Sequence, residues 1–415
     1  MYTLAIYVYA ALAWVVALFN KKVRTLVRGH CRTFAILQEH IRPQDRVVWF
    51  HAASLGEFEQ GRPIIERLRQ EHPEVHILLT FFSPSGYEVR KHYPCADTVC
   101  YLPFDTPANA RRFVRLAHPQ VALFIKYEFW ENYLKALRRT EALVYNVSTI
   151  LRPTQHFFRP WGTARPLRLF HRFFVQNEQT RQLLASVGIS QATVTGDTRF
   201  DRVLAVSRQA TELPVVAAFA DGHPTIVVGS SWEADEAIYI PYLRQHPDWR
   251  LIIAPHVISP GRMAALEQAL RGFRVVRYST ALDAANEGSP TQEDAADGRG
   301  QALLIDCYGL LSNIYRYAHV AIVGGGFGAG IHNVLEAAVY GIPVLFGPNN
   351  RRFAEAQDLL RQRGAFQYSS SDTFAQAMDS LISDPAARER AGAVAGNYVL
   401  SHAGAADAVY HAVFG

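Results

Sequence analysis

The chain has 415 residues, 49% of them hydrophobic, enough for two domains that each bury an ordinary core. Its formal net charge is +5, from 42 Lys+Arg against 37 Asp+Glu, too mild an excess to point to nucleic acid as a partner. The four cysteines, Cys31, Cys95, Cys100 and Cys307, lack paired metal-ligand spacing and read as reduced cytosolic thiols.

Residues 3–19 carry no charge and include Tyr and Trp. The run is close to the minimum for spanning a bilayer, with aromatics suited to its interface. A basic block follows: Lys21, Lys22, Arg24, Arg28 and Arg32, with no acid among residues 21–32. Such a block suits anionic lipid head groups. A signal peptide would carry its positive charge before the apolar run, whereas here the charge comes after it. That order predicts a membrane anchor over residues 1–22, with the rest of the chain in the cytoplasm. A buried core helix followed by a solvated basic turn is the alternative.

From about residue 45 the pattern alternates strand, turn and helix. Strands are predicted at Arg46–Phe50, His76–Phe82, Val99–Leu102, Val121–Ile125, Leu143–Val147 and Phe173–Val175. Residues 203–223 show no strand signal and read as an interdomain connection. A second series follows at Thr225–Val228, Leu251–Ile253, Val275–Arg277, Leu303–Ile305, Val320–Val323 and Val344–Phe346. Residues 281–300, rich in Ala, Asp, Glu, Gly and Ser, read as a solvated loop without chemistry. The chain after about 370 reads as helices, and no internal repeat is visible. The expected class is α/β, with two Rossmann-like doubly wound domains, residues 23–205 and 206–415, facing a cleft at the carboxyl ends of their strands. Two unrelated Rossmann-like domains with no shared site would give the same pattern.

The segment richest in chemistry runs from Val320 to Pro348. A buried strand leads into five glycines within seven residues, Gly324 to Gly330, and a helix is predicted to open near His332–Asn333. Glycines let backbone approach a ligand closely, and a helix start offers unpaired N–H groups to a phosphate. Gly325, Gly326 and Asn333 are candidate phosphate- or nucleotide-binding positions. Glu336 could accept ribose hydroxyls or merely complement the helix dipole. The spacing is not the dinucleotide fingerprint: the last Gly is displaced, and no acidic residue ends the next strand.

His51 to Glu59 forms the second segment, at a strand-to-helix turn. Transfer to a hydroxyl needs a base, and Glu57 is placed for it, with Glu59 as local competitor; a helix cap would look the same. Ser230 and Ser231 precede another helix as phosphate donors or plain caps. His256 follows Ala254-Pro255 as a ligand or a structural histidine. Gly309, in Asp306-Cys-Tyr-Gly309, could present backbone to a base or be an ordinary turn. No Asp-x-Asp pair for Mg²⁺ on a diphosphate occurs, so no metal is expected, and no Gly-x-Ser-x-Gly hydrolase elbow occurs.

Over roughly residues 45–365 the chain resembles the bacterial Kdo (3-deoxy-D-manno-octulosonic acid) transferases, which are inverting enzymes of the B-type glycosyltransferase fold. Ser54-Leu-Gly-Glu57 looks like the family's Ser-Val-Gly-Glu, whose Glu is taken as the catalytic base. Ser83-Pro-Ser-Gly86 and Leu102-Pro-Phe-Asp105 match family turns. Glu128-Phe-Trp130 looks like Glu-Leu-Trp, and Gly196 to Asp201, containing Arg199, resembles Gly-x-x-Lys-Phe-Asp. Ser54, Glu128 and Arg199 are thereby acceptor-side or cleft candidates. Gly325, His332, Asn333, Leu335 and Glu336 match the donor-nucleotide segment. The resemblance implies CMP-Kdo as donor, a lipid A precursor as acceptor, and no cofactor.

The chain also departs from the family. Ala254-Pro-His256 stands for Pro-Arg-His and loses a donor-contacting Arg. Tyr308-Gly-Leu-Leu311 stands for Met-Gly-Glu-Leu. Lys126 replaces the Glu two residues before Glu128, and Gly324-Gly-Gly326 replaces Gly-Gly-Ser. A UDP-sugar transferase or epimerase of B-type fold, or a membrane-tethered nucleotide-binding module without catalysis, are the rival readings.

Overall fold

The computed structural model describes residues 1–287 and 301–415. It divides into two compact units: Met1–Arg202 with His402–Gly415, and Val203–Ser401.

The first unit is built on a seven-stranded, all-parallel sheet. Its strands are β1 (Val47–Ala52), β2 (His76–Phe81), β3 (Thr98–Tyr101), β4 (Val121–Ile125), β5 (Leu143–Thr149), β6 (Arg172–Val175) and β7 (Ala192–Val194). They lie in the order β3-β2-β1-β4-β5-β6-β7. Successive side chains of a strand point to opposite faces, and here both faces are covered. Trp49, Leu78, Phe124 and Phe173 enter one core. Their neighbours Phe50, Leu79, Leu123 and Phe174 enter the other.

The second unit repeats the plan. Its strands are β8 (Thr225–Ser231), β9 (Arg250–Pro255), β10 (Arg274–Arg277), β11 (Gln301–Leu304), β12 (Val320–Val323), β13 (Val344–Phe346) and β14 (Ala365–Gln367). The order is β10-β11-β9-β8-β12-β13-β14, again all parallel. Ile226, Val228, Leu251, Ile253 and Ile322 form one core face.

The connection at 203–223 holds no strand, as expected; it contains the end of the helix Thr198–Arg208 and the helix Pro214–Ala220. Two expectations change. Residues 281–286 close the helix Tyr278–Asn286, and the rest of the expected loop, 288–300, lies outside the described residues. The second unit does not extend to residue 415. The helix Ala405–Phe414 packs on the first unit's helix Leu55–Glu71, with Val409 and Tyr410 in the first unit's core.

At the N-terminus, helix Tyr2–Ala17 is followed by helix Lys21–His40, so the basic block is helical and not a turn. Asn20 caps the second helix by accepting the N–H groups of Lys22 and Val23. No helix among the described residues is long and apolar enough to cross a membrane, which corrects the expectation of a membrane-spanning segment. Sixteen residues rise only about 24 Å, short of a hydrocarbon core of about 30 Å. The helix is instead tied down at one end and along one side. Tyr2 donates to Asp105 Oδ2 at 2.6 Å, and Ala13 and Ala17 pack with Val27 and Phe104. Its other face leaves Leu4, Tyr7, Val8, Leu12, Trp14, Val15 and Val16 exposed.

Candidate functional site

In an open parallel sheet, ligands bind at the carboxyl ends of the two strands where the order reverses. In the first unit these strands are β1 and β4. The chain leaves β1 through Ala53-Ser54 into the helix Leu55–Glu71, and leaves β4 through Lys126-Tyr127-Glu128. The sheet order thus brings Ser54, Glu57 and Glu128 to one end, although they are far apart in sequence.

Ser54 and Glu57 form a capping box. Glu57 Oε2 accepts the N–H groups of Ala53 at 2.8 Å and Ser54 at 3.2 Å. The capping role is therefore realised, and it also fixes the carboxylate at the mouth of the turn. Burial, and then the neighbouring Glu128 charge, push the Glu57 carboxyl up to about 7, against the pull of the backbone donors and of Lys126. A carboxylate poised near neutrality can take a proton from a hydroxyl.

Glu59, the competitor, is occupied elsewhere. Burial alone would raise its pKa, but Arg202, Arg62 and Arg90 hold it below the usual range. Arg202 and Arg90 each bind it at 2.8 Å. A carboxylate so clamped is a poor base.

Glu128 is buried in a polar network. Its Oε2 lies 3.1 Å from His51 Nε2 and 2.5 Å from the indole nitrogen of Trp130. His51 Nδ1 in turn meets Thr80 Oγ1 at 2.9 Å, and the indole N–H of Trp49 donates to the same hydroxyl. Lys126 takes a left-handed backbone, with φ of 65°, where non-glycine residues are uncommon. Arg199 is paired with the buried Asp197 at 2.7 Å, and Gln60 donates to Asp197 from the helix that carries Glu57. Tyr127 feels the charges of Arg152, Arg199, Glu57 and Asp197, so the motifs converge on one end of the sheet.

In the second unit the order reverses between β8 and β12. Ser230, one residue before the end of β8, has φ of 52°, and its carbonyl lies where a Cβ on Gly324 would fall. Gly325 has φ of 92° and donates its N–H to Asp235 Oδ2 at 3.0 Å. Gly309, with φ of 95°, faces open space. Glu336 Oε1 accepts from Asn333 Nδ2, and Oε2 accepts from Ser312, both at 3.0 Å. His256, after β9, is exposed and stacks on Trp232.

Three expectations shift here. The Ser231 hydroxyl is buried, donating to Glu236 and meeting Tyr239, so it serves the interior. Gly326 is a packing glycine: a Cβ there would lie 2.5 Å from the backbone of Gly347. The helix after Asn333 is the single turn Leu335–Ala338, too short for its dipole to hold a phosphate. Sequence reading assigned no role to Trp232, His51 or Asp235. The Trp beside Ser231 was the available signal for the first; the other two show only once the strands are placed side by side. Among the described residues, no group of three His, Cys, Asp or Glu could hold a metal ion.

Two parallel Rossmann-like sheets with candidate residues at each switch point define a B-type glycosyltransferase architecture. Solved structures carry the same fold. UDP-GlcNAc 2-epimerase from Neisseria meningitidis matches with a TM-score of 0.60 and 15% identity, over 88% of this chain and 98% of that one. MurG from Acinetobacter baumannii matches with a TM-score of 0.54 and 14% identity, over 89% and 99%. Residues 29–202 match the family model of the 3-deoxy-D-manno-octulosonic-acid transferases (kdotransferases). Curated 3-deoxy-D-manno-octulosonic acid transferases from Bordetella pertussis and Aquifex aeolicus are 27% and 23% identical. They align over 86% and 83% of this chain and 84% and 89% of their own lengths. The chain is a glycosyltransferase related to the Kdo transferases, and the family match spans the unit that holds Glu57.

Proposed function

We propose that the chain transfers Kdo from CMP-Kdo to a hydroxyl of a lipid A precursor, in one inverting displacement. The observation that carries this reading is Glu57: a carboxyl near neutrality, fixed by two backbone donors at a switch point, inside the segment that matches the Kdo transferases. Glu57 takes the proton of the attacking hydroxyl, so the oxygen need not carry a full proton into the new bond. Glu128 sets the basicity of Glu57 and holds Trp130 and His51. Ser54 completes the turn, and Arg199 braces Asp197 beside it. The nucleotide is assigned to the second unit: Ser230, His256, Gly309, Gly325, Asn333 and Glu336, without Ser231 and Gly326. A single donor phosphate asks for no divalent cation, which matches the absence of an Asp-x-Asp pair.

The N-terminal helix pair is proposed to lie in the cytoplasmic leaflet of the inner membrane rather than cross it. An apolar exposed face on Tyr2–Ala17, followed by Lys21, Lys22, Arg24 and Arg28, suits an anionic surface. The test of function is incubation with a CMP-Kdo generating system and tetraacylated lipid A precursor, with mass analysis of the lipid. A gain of one or more Kdo residues supports the reading; unchanged lipid with active controls overturns it.

A further inference from the structure

Three adjacent strands of the second sheet, β9, β8 and β12, deliver one aromatic ring each to the same place. Trp232 follows β8, His256 follows β9, and His332 follows the glycine loop after β12. The rings of Trp232 and His256 stack at 4.7 Å and 25°, and those of His256 and His332 at 4.4 Å and 28°. The Trp232 indole N–H donates to His332 Nε2 at 3.2 Å. An indole nitrogen only donates, so Nε2 must be the acceptor and His332 rests neutral, with its proton on Nδ1. Two imidazoles face to face also repel a second proton.

Glu233, next to Trp232, is exposed to solvent, and other charged groups on the flanking segments have partners. Asp235 takes the Gly325 N–H, and Glu236 is bound by Ser231 and Arg262. Arg352 reaches the Ala329 carbonyl, and Glu336 holds Asn333 and Ser312. Asp306 accepts from Ser279, and the Tyr308 hydroxyl accepts from the Ile258 N–H. Position 255, beside His256, is a proline. We propose that the His256–His332 stack is a proton-loaded anion receptor: the donor's phosphodiester binds together with a proton taken from solvent. The proposal rests on the nucleotide reading above.

Burial, and then His256, hold the His332 imidazole down at about 4, so it is neutral at pH 7 until a ligand arrives. A phosphate beside the stack favours the imidazolium. By reciprocity the imidazolium favours the phosphate, and affinity falls as pH rises. An arginine receptor would give affinity independent of pH over this range.

The test uses the full chain and the methyl phosphodiester of CMP, which itself carries no titrating phosphate near neutrality. Calorimetry between pH 6 and 8.5, in buffers of different ionisation enthalpy, counts protons taken up on binding. The expected result is net uptake of a proton and affinity that falls by up to about tenfold per pH unit. Ring ¹⁵N spectra of the wild-type protein should show His332 as the Nδ1–H tautomer when free and protonated when bound at pH 7. His332→Gln and His256→Gln should each abolish the uptake and flatten the profile. Tight binding with no proton uptake, a flat profile and a neutral bound His332 would overturn the proposal and leave the nucleotide reading standing. No binding at any pH would overturn both.

Discussion

Glu57 has two jobs, and the physics of one creates the other. Accepting two backbone N–H groups holds the carboxylate still, while burial beside Glu128 raises its affinity for a proton. The ionised form is the base, so turnover should rise through a pH of about 7 on the acid side. Glu128→Gln removes the neighbouring charge that raises Glu57, so this limb should move to lower pH. An unmoved limb, in turnover measured from pH 5.5 to 8.5, would separate the two carboxylates. Gly326 makes a different prediction at this scale. A Cβ there would meet the Gly347 backbone at 2.5 Å, so Gly326→Ala should cost about 1–3 kcal/mol, read as a lowered Tm. Nucleotide affinity per folded molecule should be retained. Gly309→Ala meets no neighbour and carries only the strain of its positive φ, on the order of 1 kcal/mol.

Among the elements, buried strands were legible because their apolar runs have no other use. Val121–Ile125, Val320–Val323 and Val344–Phe346 have the expected ends. The two strands that sequence reading missed, β7 and β14, have three residues each and lie at sheet edges, where Ala192-Thr-Val194 and Ala365-Phe-Gln367 present no apolar run. Glu57 and Glu128 were legible as motifs, but their adjacency depends on β4 pairing with β1, a long-range choice that no local pattern records. The division of labour between Ser230 and Ser231 was illegible for a similar reason: only the packing of Tyr239 and Glu236 turns one hydroxyl inward. The N-terminal helix yields its own prediction. Leu12→Glu with Val16→Glu places charge on the exposed apolar face, so flotation with anionic vesicles should fall severalfold while Tm holds. A lowered Tm with unchanged flotation would make that face part of the core.

At the scale of the whole chain, the last fourteen residues return to the first unit. Asp201 accepts the N–H groups of Gly404 and Ala406, and Arg67 pairs with Asp407 at 2.8 Å. Deleting residues 402–415 should therefore lower the first unit's stability by a few kcal/mol, through the lost burial of Val409 and Tyr410. Limited proteolysis should then cut the first unit before the second. Proton abstraction belongs to the first unit and nucleotide binding to the second in the proposed mechanism, and one measurement separates these roles. Kdo transfer and CMP affinity should be measured together on purified Glu57→Gln protein whose Tm has been checked. The expected result is a loss of turnover of about 10²–10⁴-fold with CMP affinity unchanged. Near wild-type turnover in a folded Glu57→Gln protein would contradict it and leave Glu57 as a helix cap alone.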